Sequence, residues 1–539
     1  MKNTTILLAA CVGLSVFARG ARPPNIVFAF ADDYGRHASA YAAADAKPGI
    51  NRVLRTPHID SVARSGVLFR HAYVSAPSCT PCRSSLLSGR HFWQTGRGAI
   101  LTGAVWDSTL PSFPLLLRDG GYHIGKSYKV WSPGTPVDAP FDGQRHAYEG
   151  AGRGFNEFSQ NVTRLTAGGM PRQEAKAQLL GEVKENFRSF LSARGENKPF
   201  FYWFGPTNTH REWVKGSGKT LWNLDPDDLK GNMPAFLPDV PEIREDLNDY
   251  FGEVLAFDAA IGVLIEELKA SGDWENTILV VSGDHGAPGF PHGKCELYDF
   301  GASVPLVIAG PGVSPGRVVD DFVSLPDLAP TILELGGQKV PSDMSARTLV
   351  PLLRSEASGQ IDPARDHVLT GRERHVDEAR AGRLPYPQRA IRTREHLYIV
   401  NFEPDRLPAG DLHPPGKPGT PPPLRQLVHQ TRITYPDMDA GPTKAWLYQH
   451  RDDPRWKEAS ELIFGPRPAE ELYQLQDDPQ QMKNLAGDPA LAAVKKKLRD
   501  SLMSELAASG DSRVNDPTPI YERPPFAGSK AKGNESPGE

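Results

Sequence analysis

The chain has 539 residues, of which 39% are hydrophobic and 23% charged, with a formal net charge of −4 at pH 7. This is the composition of a soluble globular protein with room for two domains, and the near-balanced charge excludes a strong overall basic excess of the kind that suggests nucleic-acid binding. Four cysteines in such a length exclude a disulfide-rich scaffold.

In chain order, the first predicted element is an export signal over residues 1–20. Lys2 supplies the positive start, Ile6 to Phe17 the apolar core, and Ala18 and Gly20 the small residues for cleavage before Ala21. The run Leu8-Ala9-Ala10-Cys11 offers a second export route, lipidation at Cys11. The apolar stretch is too short to span a bilayer, and no other segment reads as transmembrane. Both routes place the protein in the periplasm or outside the cell.

Asn25-Ile26-Val27-Phe28-Ala29-Phe30 reads as a buried strand, and Thr56-Pro57 opens a helix with a Thr cap and Pro at its first position. Further buried strands at 199–204, 277–282 and 305–309 alternate with helical patterns at 172–193 and 243–270. That alternation predicts an α/β fold, a mostly parallel sheet sandwiched by helices, with ligand sites at the carboxyl ends of its strands. After about Leu353 the texture changes to a short strand pair (389–393 and 397–400), a Pro/Gly-rich loop and a final helix over 491–508. We therefore expect a catalytic domain over 21–355, a smaller α+β subdomain over 356–515 and a disordered tail over 516–539.

Three segments carry chemistry. The first is Cys79-Thr80-Pro81-Cys82-Arg83, followed by Ser84-Ser85-Leu86-Leu87-Ser88-Gly89-Arg90. Pro81 suits the first turn of a helix, which would put Cys79 at a terminus that favours an anion, with Arg83 one turn on as a cation for its thiolate. A C-x-x-C redox or zinc pair is the alternative, and no second pair exists to complete a zinc site. The second and third are Asp32-Asp33 and Asp284-His285, each directly after a predicted strand. One such pair alone would be a turn or helix cap. Carboxylates from two strand ends can instead converge on a hard divalent cation.

The twelve-residue run at Cys79, C-x-P-x-R-x-x-x-L-x-G-R, resembles the signature of the type I sulfatases. The resemblance extends from about Pro24 to Ala508 and includes the C-terminal pattern Glu471-Leu472-Tyr473, Asp478-Pro479 and Asn484-Leu485. Within the family the chain is most similar to heparan N-sulfatase-like bacterial enzymes, through Ala31-Asp32-Asp33, Thr56-Pro57-His58-Ile59-Asp60, Ser78-Cys79-Thr80-Pro81, Thr209-His210-Arg211 and Tyr386-Pro387-Gln388-Arg389. The resemblance implies an alkaline-phosphatase-like fold and a sulfuric ester hydrolase acting on sulfate esters or N-sulfate groups of a sulfated glycan. It implies that a maturation enzyme converts Cys79 to formylglycine, whose hydrate is the nucleophile. It also implies one Ca²⁺ held by Asp32, Asp33, Asp284, His285 and the oxidised Cys79. His285 stands where Asn is more frequent in the family, and an imidazole is a softer ligand than an amide oxygen.

By the same resemblance Cys79, Arg83, Lys126, His210 and Lys294 form the catalytic set. Lys126 lies in the G-K segment, His210 in the P-H segment, and Lys294 after the second metal pair. The family has a His two or three residues after the G-K lysine. Here the run is Ser127-Tyr128-Lys129, so Lys129, Tyr128 or the upstream His123 would stand in. Lys126, Lys129, Arg211, His375, Arg389 and Arg392 are the expected substrate contacts, the arginines as bidentate partners of an acidic sugar. Two other readings remain open. One is a phosphomonoester or phosphonate-ester hydrolase of the same fold. The other is a non-catalytic glycan-binding protein with Cys79 unmodified, to which the missing His points.

Overall fold

The computed structural model describes residues 22–47, 49–141, 143–414 and 422–528. The export signal, with Cys11, lies outside these residues. Among the described residues no helix is long and apolar enough to cross a membrane.

The larger sheet has seven strands: β1 (Asn25–Ala31), β2 (Gly66–Tyr73), β3 (His123–Tyr128), β4 (Phe200–Gly205), β5 (Thr277–Gly283), β6 (Leu306–Ala309) and β7 (Arg317–Ser324). Their order is β3-β4-β1-β5-β6-β2-β7. The run from β3 to β5 is parallel, whereas β6 is antiparallel to both β5 and β2. The expected mostly parallel α/β sheet is therefore present, and one of the strands read from the sequence, β6, runs against the rest.

Side-chain alternation divides the core across this sheet. Val27, Ala29 and Ala31 of β1 face one cluster with Tyr202 and Phe204, and the long helices Arg172–Ala193 and Pro241–Ala270 cover it. Ile26, Phe28 and Phe30 face the other cluster, with Trp203, Leu86 and Leu87. Burial on both faces explains why these strands read as continuous apolar runs. The helix after Thr56 begins at Pro57 as expected, but the Thr56 hydroxyl does not cap it. It accepts the Ser39 N–H and donates to Asp60 instead.

A second, antiparallel sheet has the order β11-β10-β9-β8, with β8 (His367–Arg372), β9 (Gln388–Thr393), β10 (His396–Asn401) and β11 (Glu470–Gln474). The helix Ala492–Ala508 packs Leu498, Leu502 and Leu506 against Ile391 and Tyr398 of this sheet. The excursion between β10 and β11 returns to the first domain: Leu427, Tyr435 and Trp446 join the core beside helix Pro241–Ala270. The tail expectation is corrected in part. Residues 516–528 are described, and Tyr521 is buried in the small-sheet core; residues 529–539 lie outside those described.

Candidate active site

Register brings the two acidic segments together. Ala31 of β1 pairs with Gly283 of β5, so Asp32 and Asp284, the next residue of each strand, leave the sheet side by side. The Asp33 N–H donates to Asp284 Oδ1 at 2.7 Å, with Asp33 in the left-handed region at φ 57°. Facing them is the helix Cys79–Ser88, every residue of which is buried. It ends at Gly89 with φ 65°, a left-handed conformation that favours glycine. Asp33, Cys79, Asp284 and His285 offer ligand atoms all within 4.8 Å of one another. Cys79 Sγ lies 3.4 Å from His285 Nε2 and 3.7 Å from Asp33 Oδ1.

Arg83, read from the sequence as the cation for Cys79, spends its side-chain hydrogen bonds on carboxylates and carbonyls instead. Its Nε donates to Asp284 Oδ2 at 2.9 Å and its Nη2 to Asp32 Oδ1 at 3.0 Å, with no exposure to solvent. The guanidinium is a brace between the two strand-end carboxylates. Burial pushes the Cys79 thiol well above its ordinary range and Asp32 adds to this, against the weaker pull of Lys129 and Lys294. Cys79 does open its helix, as expected, but burial and Asp32 both disfavour the thiolate of the unmodified side chain there. Cys79, Cys82 and Cys295 are unbonded, so the C-x-x-C pair is not a disulfide.

Two lysines and a histidine flank the cluster. Lys129 Nζ donates to both oxygens of Asp32, at 2.7 and 2.8 Å. Burial opposes ionisation of Asp32, but Lys129 and Arg83 outweigh it and hold the carboxyl well below the usual range. Lys294 Nζ donates to Asp33 Oδ2 at 3.0 Å and pairs with Asp439 at 3.2 Å. His210 Nε2 stands 3.8 Å from Asp33, with the side chain 37% exposed at the mouth of the cluster. Its Nδ1 lies 2.6 Å from the Arg211 carbonyl, so Nδ1–H donates there and Nε2 faces the site.

Lys126 is corrected. Its ammonium, fully buried, pairs with Asp138 at 2.6 Å and Glu149 at 3.5 Å. The reason is its position: Lys126 lies inside β3, opposite Trp203, whereas Lys129 lies one residue past the strand end and bonds to the Gly205 carbonyl. Strand-end residues reach the site. Of the other stand-ins for the missing His, His123 stacks on Phe190 at the far end of β3, and the Tyr128 hydroxyl receives the Asn186 amide.

The expected sugar-binding arginines are also corrected. Arg211 forks onto Asp246 with two 2.8 Å bonds. Arg392 forks onto Asp299 at 2.9 and 2.8 Å, beside a separate cavity of about 340 Å³. Arg389 is fully buried between Glu373 and Asp511. A guanidinium closed on carboxylates has no fork left for a sugar acid. We expect Arg389→Met to cost about 3 kcal/mol of stability, read by denaturant unfolding, because it strands the buried Asp511, whereas Glu373 keeps Arg513, while KM is unchanged; a raised KM with unchanged stability would restore the substrate role. His375 lies nearer than the arginines: its Nδ1 is 2.9 Å from the hydroxyl of Ser78, the residue before Cys79.

Sequence reasoning missed Asp439. It sits in the loop after β10, in a Pro/Gly-bounded Asp-x-Asp run that resembles any turn, and only the fold brings it to Lys294. The larger cavities, about 340 and 610 Å³, are not lined by Cys79 or the clustered carboxylates.

A family profile described as Sulfatase matches residues 24–338. Human N-sulphoglucosamine sulphohydrolase is 27% identical over 541 residues, covering 93% of each chain. An ulvan-active sulfatase of Formosa agariphila is 22% identical, covering 90% of this chain and 75% of its own. A solved structure described as being in complex with its substrate D-glucosamine-2-N,6-O-disulfate aligns with a TM-score of 0.60 at 18% identity, over 92% of this chain and 100% of that one. The phosphonate monoester hydrolase of Agrobacterium radiobacter aligns equally well, with a TM-score of 0.60 at 19% identity over 91% and 97% of the two chains. The fold is thus the alkaline-phosphatase-like one, and it alone does not choose between sulfate and phosphonate esters. The family profile does choose, and the chain belongs to the sulfatase family of sulfuric ester hydrolases.

Proposed function

We propose that this protein removes sulfate from a sulfated glycan, with the N-sulfo group of glucosamine as the first substrate to test. The observation that supports it best is the convergence of Asp32, Asp33, Cys79, Arg83, Asp284 and His285 on one buried point, with Lys129, Lys294 and His210 around it. The similarity to human N-sulphoglucosamine sulphohydrolase over 93% of both chains supports the substrate class.

The donor set fits a divalent cation. Three carboxylates crowd together without solvent, and Asp284 is raised by burial and then by Asp32 and Asp33, against His285 and Arg83; a cation would relieve that repulsion. Asp32, Asp33, Asp284, His285 and an oxidised Cys79 would hold it, with Ca²⁺ our assignment. When bound, it supplies positive charge to the sulfate oxygens and the nucleophile. Cys79 as a formylglycine hydrate would bring two hydroxyls, one to attack sulfur and one through which the aldehyde returns.

The remaining residues have roles that follow from their places. Arg83 fixes two carboxylates at the spacing the donor set needs. Lys129 and Lys294 put ammonium charges on opposite sides of the cluster, where they neutralise sulfate oxygens in the transition state. Asp439 holds Lys294 in that position. His210, solvent-facing and with Nδ1 tied to a carbonyl, presents Nε2 to protonate the leaving nitrogen or oxygen. Lys129, bonded to Asp32 at the end of β3, is our choice of stand-in for the His that the family resemblance leads one to expect. The basic, apolar N-terminus supports export, and a formylglycine-generating maturation enzyme is the implied partner.

The test compares N-sulfoglucosamine, glucosamine-6-O-sulfate and glucosamine-6-phosphate with protein matured in its host. We expect kcat/KM for the better sulfate to exceed that for the phosphate about a hundredfold or more, a barrier difference of about 2.7 kcal/mol. The likeness to a phosphonate monoester hydrolase favours a second reading, and a preference for the phosphate would establish it in place of ours.

A further inference from the structure

Arg211, withdrawn from sugar binding, shows what orients the proton donor. Its partner Asp246 lies within helix Pro241–Ala270 and is 1% exposed. Asp246 accepts from five donors. Arg211 gives Nη1 and Nη2, each at 2.8 Å, and Trp213 gives Nε1 at 3.3 Å. Thr443 gives its N–H at 3.1 Å and its hydroxyl at 2.6 Å. Arg211 and Trp213 belong to the loop after β4, which carries His210. Thr443 belongs to the first turn of helix Pro442–Gln449, in the excursion that also delivers Asp439 to Lys294.

Arg211 is tied at both ends. Its Nε donates to the Pro288 carbonyl at 2.9 Å, four residues beyond Asp284. Its own carbonyl receives His210 Nδ1 at 2.6 Å. The imidazole is therefore oriented by a peptide whose side chain is clamped on Asp246. A half-exposed loop histidine without such a clamp would sample several rotamers, and small displacements of a proton donor are costly. A carboxylate buried in a helix interior is itself costly unless its acceptor capacity is used, and here it is used on the loop and on the second subdomain at once.

We propose that Asp246 is the positioning residue of the proton donor: through Arg211 it aims His210 Nε2 at the leaving group, and Thr443 couples that aim to the C-terminal subdomain. The inference rests on the sulfatase reading above, with His210 as general acid. Its consequence is selective. A sugar nitrogen or oxygen leaves poorly without a proton, whereas 4-nitrophenolate leaves without one. Misaiming His210 therefore slows sugar desulfation and spares the aryl ester, while general damage to the site slows both.

The experiment measures kcat and KM of Asp246→Asn and Thr443→Val on 4-nitrophenyl sulfate and on N-sulfoglucosamine or glucosamine-6-O-sulfate, whichever the unmodified chain hydrolyses faster. For Asp246→Asn we expect kcat on the sugar sulfate to fall about tenfold or more, with KM and the aryl sulfate kcat within about threefold. Thr443→Val, which keeps the Arg211 fork, should show the same selectivity with a loss of about threefold, and it carries the test if Asp246→Asn does not fold. Equal losses on both substrates, or none, would overturn the positioning role. A parent protein that hydrolyses neither sulfate would instead sink the sulfatase reading itself.

Discussion

Cys79→Ala leaves the protein folded and lowers sulfate release about 10⁴-fold or more. The side chain is 2% exposed and small, so its removal opens little space, and a loss of about 1 kcal/mol in stability is expected. The activity loss has a different origin. On our assignment the nucleophile is the formylglycine hydrate, and alanine cannot be matured into one; burial disfavours the thiolate that an unmodified cysteine would need. Cys79→Ser sharpens the point. A serine oxygen at this place has one hydroxyl, so it could attack sulfur but has no second hydroxyl through which to release sulfate. We expect at most a single turnover from it. The companion measurement is the mass of the peptide containing Cys79 from protein made in its native host, which should be lowered by the difference between H₂S and O. Full activity in a preparation whose Cys79 is entirely thiol would refute the formylglycine assignment.

How much of this was legible in the sequence depended on the range of the interaction. The strands β1, β4 and β5 were legible because they are buried on both faces and read as uninterrupted apolar runs. By contrast β2 carries Arg70 and His71, and β3 carries His123, Lys126 and Ser127, so neither shows the apolar run that marks a central strand. Asp32 and Asp284 were legible because each directly follows a readable strand, and parallel register does the rest. Lys126 and Lys129 were not separable, because three residues decide whether a side chain lies within β3 or past its end, and boundaries are what sequence patterns define least well. The arginines failed for another reason. Arg211, Arg389 and Arg392 look free in one dimension, and their carboxylate partners Asp246, Asp511 and Asp299 lie 35, 122 and 93 residues away. Partner assignment at that distance needs the fold. So does Asp439, which enters from a subdomain whose segment carries no other sign of a role in catalysis.

Arg83→Met should be the most damaging single change that leaves the nucleophile in place. The guanidinium has no solvent exposure, and it spends Nε on Asp284, Nη2 on Asp32 and Nη1 on the Val130 carbonyl at 3.0 Å, with its plane 5.1 Å from the Phe30 ring. Methionine refills the volume but leaves Asp284 without the guanidinium that bonds its Oδ2. Breaking a buried ion pair from one side costs about 3–5 kcal/mol, read as a lower denaturant midpoint. Activity should fall about 10³-fold as well, because the two strand-end carboxylates lose the brace that sets their spacing. The two effects can be separated. In the double variant Arg83→Met with Asp284→Asn, the stranded charge is gone, so part of the stability returns. Activity does not, since the donor set has lost a carboxylate. The new amide keeps a carbonyl oxygen for the Asp33 N–H, now held at 2.7 Å by Asp284, so the turn itself survives. A single variant that loses less than about 1 kcal/mol would mean that solvent reaches these carboxylates, and that the brace, with the buried site it supports, has been misread.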